Sequence, residues 1–331
     1  MGMKDAATKD YMKDREIFAD AFNQFMYGGV QVIDPERLKP LDGNIIGRPY
    51  GSDDTGVLIQ RYRDILKYLT AMEDDTAIYL LLGIENQSEV HYAMPVKNMV
   101  YDALQYAKQV EQVAQMHREA RKKGDLKEIQ KKRSSGEYLT GFYKEDRLIP
   151  VITLVVNFGS DVWDGPMCLH EMFDIDDKEI LKFVSDYKIN LLSPADMTDE
   201  EIDCFRTNLR EVMLFIKYAK DKKQLKNIVE SDERFKKMER KAAMVLSSVI
   251  GAKIEEEIEQ EEVNMCQALE EMMMDAKAEG IVEGKIEERN AMVLRLLDSG
   301  KVSLEFIANM AGITVEDIKA MDEKRKAVSN N

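Results

Sequence analysis

Cysteine is scarce: the 331 residues hold three, Cys168, Cys204 and Cys266, far apart and without a CxxC pair. That rules out a disulfide scaffold, argues against a thiolate zinc site, and fits a reducing cytoplasm. No run of about 18 apolar residues occurs, so no membrane span is expected. Residues Met1 to Arg15 are charged and lack the apolar stretch of a secretory signal; they read as frayed and polar. With seven prolines and 18 glycines, long flexible linkers are few. His91, His117 and His170 show no metal-ligand spacing, and His170-Glu171 lacks the second histidine of HExxH, so each reads as structural. No GxSxG occurs, and the glycines form neither a phosphate loop nor a dinucleotide fingerprint. This weighs against kinases, NTPases and dehydrogenases.

What is present is ample core material and an uneven charge. Hydrophobic residues make up 44% and charged residues 33%, which excludes wholesale disorder and allows one to three domains. The net charge of −15 argues against a nucleic-acid partner, because phosphate binding rests on Lys and Arg releasing counterions. Yet His117–Arg133 carries eight Lys or Arg against three Asp or Glu, a local +5. Lys253–Glu288 carries three Lys against 13 Asp or Glu, a local −10. The two stretches have different electrostatic roles.

Periodicity predicts the elements. Phe18, Phe22, Phe25 and Met26 share a helix face that Gly28-Gly29 ends. Residues 30–56 read as loop with short extended pieces. Strands are predicted from Val57 to Leu69 and from Ala77 to Gln87, with a polar turn at Glu73-Asp74-Asp75-Thr76. The apolar run Ile78–Leu82 suggests a central, covered strand. A long helix follows from Pro95 to His117, with Val96, Met99, Val100, Ala103, Ala107, Val110 and Ala114 along one side. Leu148–Phe158 reads as another buried strand, its start at Pro150 lying at an edge. The order helix, strand, strand, helix, strand describes an α/β fold, a small mixed sheet flanked by helices, over residues 1–175. A helical region is expected over 176–252, with Thr198–Glu201 a capping-box start to a helix reaching Lys222 and another helix over Gln224–Ile250. An acidic, Met-rich helix and a helix-turn-helix-like tail are expected over 253–331.

The sharpest chemical signal is Gly83-Ile84-Glu85-Asn86-Gln87 at the end of the second strand. Strand alternation puts Glu85 and Gln87 on one face, with the Asn86 carbonyl between them at the edge. A hairpin can bring Asp64 beside Glu85. Two carboxylates and a carbonyl are hard oxygen ligands suited to Mg²⁺ or Mn²⁺. From the residues alone, an ion pair or a solvated strand end explains the same carboxylates.

Asp64, Gly83-Ile84-Glu85-Asn86-Gln87, then His91-Tyr92-Ala93-Met94-Pro95-Val96-Lys97 and Tyr101-Asp102, in this order, resemble the recombination-promoting nuclease / putative transposase family of the PD-(D/E)XK nuclease superfamily. The Phe18–Asn23 helix resembles its N-terminal motif, and Leu148–Leu154 with Trp163-Asp164-Gly165-Pro166 resembles its later strand and turn. The resemblance covers about residues 10–175. It implies a restriction-endonuclease-like core and a metal-dependent DNA endonuclease. Asp64 and Glu85 would be the metal-binding acids, with the Asn86 carbonyl a further ligand. Gln87 takes the usual lysine position; being uncharged, it orients water rather than removing a proton. Lys97 is a candidate catalytic lysine recruited from the following helix, with Tyr101 on the same helix face. Asp20 and Asn23 would form an outer shell near the metal. For Lys97 and Tyr101 a solvent-facing lysine beside a packing tyrosine is an equal reading, and for Asp20 and Asn23 so is ordinary capping.

If DNA is the partner, Arg118, Arg121, Lys122, Lys123, Lys131, Lys132 and Arg133 are the candidates for backbone contact, although a solvated basic face explains them too. In the tail, Ser303 and Thr314 are expected N-caps. The second tail helix, Thr314–Met321, opens with Glu316 and Asp317, which suits a protein partner better than base edges. Homo-oligomerisation through these C-terminal helices is a plausible role. The rival to the enzyme is a nuclease fold with weak or no activity that acts as a DNA- or protein-binding regulator.

Overall fold

The computed structural model describes residues 3–40, 44–47, 59–62, 65–70, 78–126, 132–175, 177–250, 262–267, 285–286, 288–298 and 302–329. Two compact units divide the chain, Met1–Met265 and Cys266–Asn331.

The first unit opens with helices α1 (Met3–Met12) and α2 (Arg15–Tyr27). The expectation of a frayed N-terminus is corrected here. α1 packs against the later helix Arg240–Ile250 and the strand Ile78–Gln87, and its Tyr11 and Met12 are buried. Its weak apolar pattern hid it, because tertiary packing rather than propensity stabilises so short a helix. Asp14 caps α2, accepting from the Glu16 N–H at 2.9 Å. Gly28 (φ 59°) ends the helix as expected. Gly29 (φ 87°) also has no room for a side chain, since a Cβ there would lie 2.7 Å from the Cys204 Cβ.

Five strands then build the main sheet: β1 (Leu38–Pro40), β4 (Ile65–Thr70), β5 (Ile78–Gln87), β6 (Val151–Asn157) and β7 (Asn190–Leu192), adjacent in that order. β1, β4 and β5 run antiparallel to their neighbours; β5, β6 and β7 are parallel. The sheet is therefore mixed, and β5 is its central strand. The first expected strand is two strands instead. β3 (Ile59–Tyr62) pairs with β2 (Asn44–Gly47) in a separate ribbon, and β4 pairs with β5, Ile65 facing Ile84. The predicted turn at 73–76 lies outside the described residues. Pro150 sits just before β6, where its missing N–H leaves the ladder intact.

Helix α3 (Met94–Lys122) makes the crossover from β5 to β6 that a parallel pair requires. Its most buried face differs from the expected apolar one, which is buried at Ala114 alone. Its buried residues are Met94, Pro95, Asn98, Tyr101, Asp102, Gln105, Gln109 and Ala114, whereas Ala103 is exposed and Val96, Met99, Val100, Ala107 and Val110 are half-buried. The polar side chains are inside because the sheet supplies partners. Gln109 exchanges two hydrogen bonds with the Ile149 backbone, donating at 3.0 Å and accepting at 2.7 Å. The Tyr106 hydroxyl accepts the Val151 N–H at 3.0 Å. Asp102 accepts from the Thr153 and Tyr187 hydroxyls, both at 2.6 Å. A pattern count registers polarity but not these partners.

The expectation of a helical region after residue 175 is corrected, because strands occur there too. β7 completes the sheet, and β8 (Met238–Glu239) pairs with β9 (Glu262–Val263). Short helices α4 (Ser135–Thr140) and α5 (Lys178–Leu181) come first, and the expected helix to Lys222 is two, α6 (Asp199–Asp203) and α7 (Leu209–Tyr218). The Thr198–Glu201 capping box is present, with reciprocal bonds of 3.2 and 2.7 Å. The stretch read as one helix over 224–250 holds α8 (Lys222–Ser231), a 3₁₀ turn, β8 and α9 (Arg240–Ile250). No helix among the described residues is long and apolar enough to cross a membrane.

In the second unit, residues 288–298, α10 (Leu304–Ala311) and α11 (Val315–Ser329) are helical and share a small core of Val293, Ile307 and Ile318. Ser303 caps α10, accepting from the Phe306 N–H at 3.3 Å, and Thr314 exchanges bonds with Asp317. Both caps are as expected. Most of the Met-rich segment, residues 268–274, and the acidic run 255–261 lie outside the described residues.

Candidate active site at the end of strand β5

Ligands of sheets with parallel strands gather outside the carboxyl ends of those strands. Here those ends are Gln87 of β5 and Asn157 of β6, which face each other in register. The Gln87 carbonyl accepts the Phe158 N–H at 2.7 Å, holding the two ends together. Two clefts open there, separated by the ridge Ser88-Glu89-Val90.

The first cleft, about 360 Å³, is lined by Asp5, Asn86, Gln87, the ridge, His91 and Lys97. Three of the sequence-derived candidates thus meet in one concavity. The Gln87 side-chain amide donates to the Asn86 carbonyl at 2.8 Å. The Lys97 ammonium comes from the first turn of α3 and lies 5.9 Å from the centre of the Tyr101 ring. Tyr101, one turn further on, is buried and does not line the cleft. Glu85 stands two residues before Gln87, in register with Val155. The Glu85 side chain and all of Asp64 lie outside the described residues.

Asp5 was not foreseen. It reaches the cleft only because α1 folds back over β5, and its carboxylate accepts from the Ser88 hydroxyl at 2.9 Å. No sequence signal marks it apart from its place in a charged segment.

The second cleft, about 570 Å³, is lined by the ridge, Tyr92, Asn157, Gly159, Asp161, Val162 and Asp164. The Tyr92 hydroxyl donates to Asp164 at 3.2 Å, and that bond to a carboxylate raises the Tyr92 pKa. Gly159 is required by close approach: a Cβ would lie 2.9 Å from Asn157 Oδ1 and 3.1 Å from the Ser88 carbonyl. Asp164 belongs to the Trp163–Pro166 segment already singled out, but its facing Tyr92 depends on the fold.

Residues 4–245 match the family model described as putative transposase, YhgA-like. The chain belongs to this YhgA-like putative transposase family. No curated protein and no solved structure matches it. The family match spans both clefts, and it also spans the residues that hold α2 in place.

Asp20 and Asn23 line neither cleft. Asp20 is 1% exposed and accepts from the Arg206 N–H, the Thr207 N–H and the Thr207 hydroxyl, at 2.7–3.1 Å. Asn23 accepts the Val32 and Ile33 N–H groups and donates to the Ile33 carbonyl. The family-like helix therefore uses these side chains to hold segments 31–33 and 206–207, a structural role of the kind weighed beside the outer shell.

The basic run is distant from the clefts. Arg118, Arg121, Lys122 and Lys123 are exposed at the far end of α3. At 1.5 Å per residue, Arg118 lies about 30 Å along the helix from Lys97. Lys132 is exposed, Lys131 lies outside the described residues, and Arg133 stacks over the Tyr143 ring at 4.6 Å. Tyr143 in turn stacks on His117, whose Nε2 lies 3.0 Å from Asp146. His170 Nε2 lies 2.8 Å from the Val184 carbonyl, and His91 Nδ1 accepts the Ala93 N–H. All three histidines thus take part in local structure; His91 does so at the rim of the first cleft.

Proposed function

We propose that the chain is a metal-dependent DNA endonuclease with a PD-(D/E)XK-type core, its site in the first cleft. The observation that carries this reading is the convergence of Asn86, Gln87 and Lys97 in one cleft at the carboxyl end of the central strand. The family's name, the antiparallel β4–β5 pair and the α3 crossover to parallel β6 agree with it. So does the place of Asp64 in the chain, one residue before the Ile65 that faces Ile84.

The donors fit the ion. The Asn86 carbonyl, the Gln87 side-chain oxygen and the Asp5 carboxylate are hard oxygens, as Mg²⁺ or Mn²⁺ prefers, and Asp64 and Glu85 would complete the set. A bound divalent ion would polarise a phosphodiester and acidify a water. The residues of the chain would do the rest. Gln87 would turn its amide to orient the attacking water, since it cannot take up a proton. Lys97 would offset the charge that builds on the phosphate oxygens. The exposed basic end of α3, about 30 Å away, would hold duplex backbone about nine base pairs from the cut, at 3.4 Å per pair. Recombination, handling of mobile elements or phage defence is the setting proposed.

The test is nicking of supercoiled plasmid in Mg²⁺ or Mn²⁺ by the wild type, Asp64→Ala, Glu85→Ala and Lys97→Ala. Loss of more than about a hundredfold is expected for the two acids, and about a hundredfold for Lys97. Equal cutting by all four would discard the site. One observation favours the weakly active regulator instead: the Asn86 carbonyl is already engaged by Gln87. No metal-dependent cutting by the wild type would select that reading.

A further inference from the structure

The two clefts differ in chemistry although they share Ser88, Glu89 and Val90. The first contains Lys97, a cation suited to a phosphate. The second has no Lys or Arg in its lining, so it is not built for phosphate. It offers instead an aromatic ring, an aliphatic wall and carboxylates. Tyr92 and Val162 are 61% and 62% exposed, so the cleft presents apolar surface to solvent between its carboxylates.

Hydrogen bonds and close approaches shape each wall. The Tyr92 hydroxyl is tied to Asp164. Asp164 is flanked by Trp163, 8% exposed, and by Gly165, where a Cβ would lie 2.8 Å from Val90 Cγ1 and 3.1 Å from Trp163 Nε1. On the far side, Asn157 accepts the Gly159 N–H at 2.8 Å and donates to the Ser193 hydroxyl at 3.2 Å. Asp161 is ion-paired with Lys220, which leaves Glu89 and Asp164 as the carboxylates of a lining that holds no Lys or Arg of its own.

We propose that the second cleft receives one unstacked nucleobase of a DNA strand whose neighbouring phosphate lies in the first cleft. The Tyr92 ring stacks on the base and Val162 closes the other side, as aromatic platforms do for single strands. The carboxylates of Glu89 and Asp164 only accept, so they take the exocyclic amino group of cytosine, adenine or guanine and disfavour thymine, whose single donor, N3–H, lies between two carbonyl oxygens. The volume of about 570 Å³ lies within the range of small-ligand clefts. A paired base cannot enter without leaving its partner, so the preferred substrate is single-stranded or locally unpaired DNA. This rests on the nuclease reading and sharpens its substrate.

The test measures binding without cleavage. Twelve-nucleotide oligo-dC, oligo-dT and a duplex of the same length, each end-labelled, are titrated with the full chain in EDTA at low salt and followed by fluorescence anisotropy. Oligo-dC should bind about tenfold tighter than oligo-dT and tighter than the duplex. Tyr92→Ala should weaken oligo-dC binding about tenfold, while Tyr92→Phe, which keeps the ring, should retain most of it. Asp164→Asn should shrink the dC-to-dT ratio several-fold, since an amide also donates; a merely structural role would lower both affinities alike. Duplex bound as tightly as single strands, no binding of any oligonucleotide, or no effect of Tyr92→Ala would overturn the proposal. Failure of the nuclease reading shows separately, as absent metal-dependent plasmid nicking while base-selective binding persists.

Discussion

Glu211 and Gln87 are both polar side chains at least partly withdrawn from solvent, yet their surroundings differ. Glu211 is fully buried and saturated: Arg234 donates at 2.8 Å, Arg210 at 3.0 Å and Asn208 at 2.8 Å. Arg210 also binds Asp203 and Asp232, and this web joins α6, α7 and the turn after α8. Gln87 is half-buried, and its amide bonds the carbonyl next to it in a cleft open to solvent. Polarity that is used up in bonding fixes a fold. Polarity held at the edge of a concavity keeps capacity for a ligand.

Removing one partner from the buried web is the strongest way to probe that contrast. Glu211→Ala leaves two guanidinium groups without their shared acceptor and should cost about 3–5 kcal/mol, read as a fall in the urea midpoint. Lys97→Ala, proposed above to weaken nicking, should change the stability by less than about 0.5 kcal/mol. Similar losses in both variants would erase the distinction.

Tyr11 lies between the two extremes. Its hydroxyl is buried and finds no hydrogen-bond partner among the described residues. Burial, followed by the negative charges of Glu239 and Glu211, holds its pKa well above the ordinary value. Tyr11→Phe should therefore stabilise the chain by about 1 kcal/mol, seen as a higher melting temperature. Destabilisation would mean that the hydroxyl contributes to the fold after all.

The smallest effects concern two surface carboxylates whose pKa values are displaced in opposite directions. The Lys217 ammonium, 2.6 Å away, holds Asp199 below its usual pKa against its partial burial, with help from the Tyr218 hydroxyl; that tyrosine is itself pushed up to about 12 by burial and by Asp199. The Asp199 contribution is present above the usual carboxylate range and lost as pH falls through its lowered value. Asp199→Asn should then cost under about 1 kcal/mol at neutral pH, and the gap should close in acid. Glu239 is raised by burial and by its neighbours Asp14 and Glu16. Its contribution is present in acid and lost as pH rises through the raised value. Glu239→Gln should gain a few tenths of a kcal/mol at neutral pH, a gain that vanishes below the unfolded glutamate pKa of about 4.3. Parallel pH profiles for the two variants would contradict this assignment.

Much of the fold was legible because it is written in local patterns. The apolar run Ile78–Leu82 marked the central strand, Gly28 marked the end of α2, and Thr198–Glu201 and Ser303 marked helix starts. These depend on neighbours within four residues. The face of α3 was misjudged because its burial depends on acceptors and donors 40 or more residues away, at Ile149, Thr153 and Tyr187. α1 and β7 were missed for a related reason: each is short, and each is stabilised by what it packs against.

The candidate site divides the same way. The sequence by itself determined the strand that ends at Glu85-Asn86-Gln87, the helix that begins just before Lys97, and the family, since those residues are close in the chain and their spacing follows strand and helix geometry. Only the tertiary structure decided that Asp5 joins them, that Asp20 and Asn23 bond to other segments, and that Tyr92 and Asp164 bond to each other in the lining of a second cleft. Alternation and helical periodicity reach a few residues along the chain. Which distant polar groups meet is fixed by the folding back of α1 over β5, by the pairing of β5 with β6, and by the turn that follows β6.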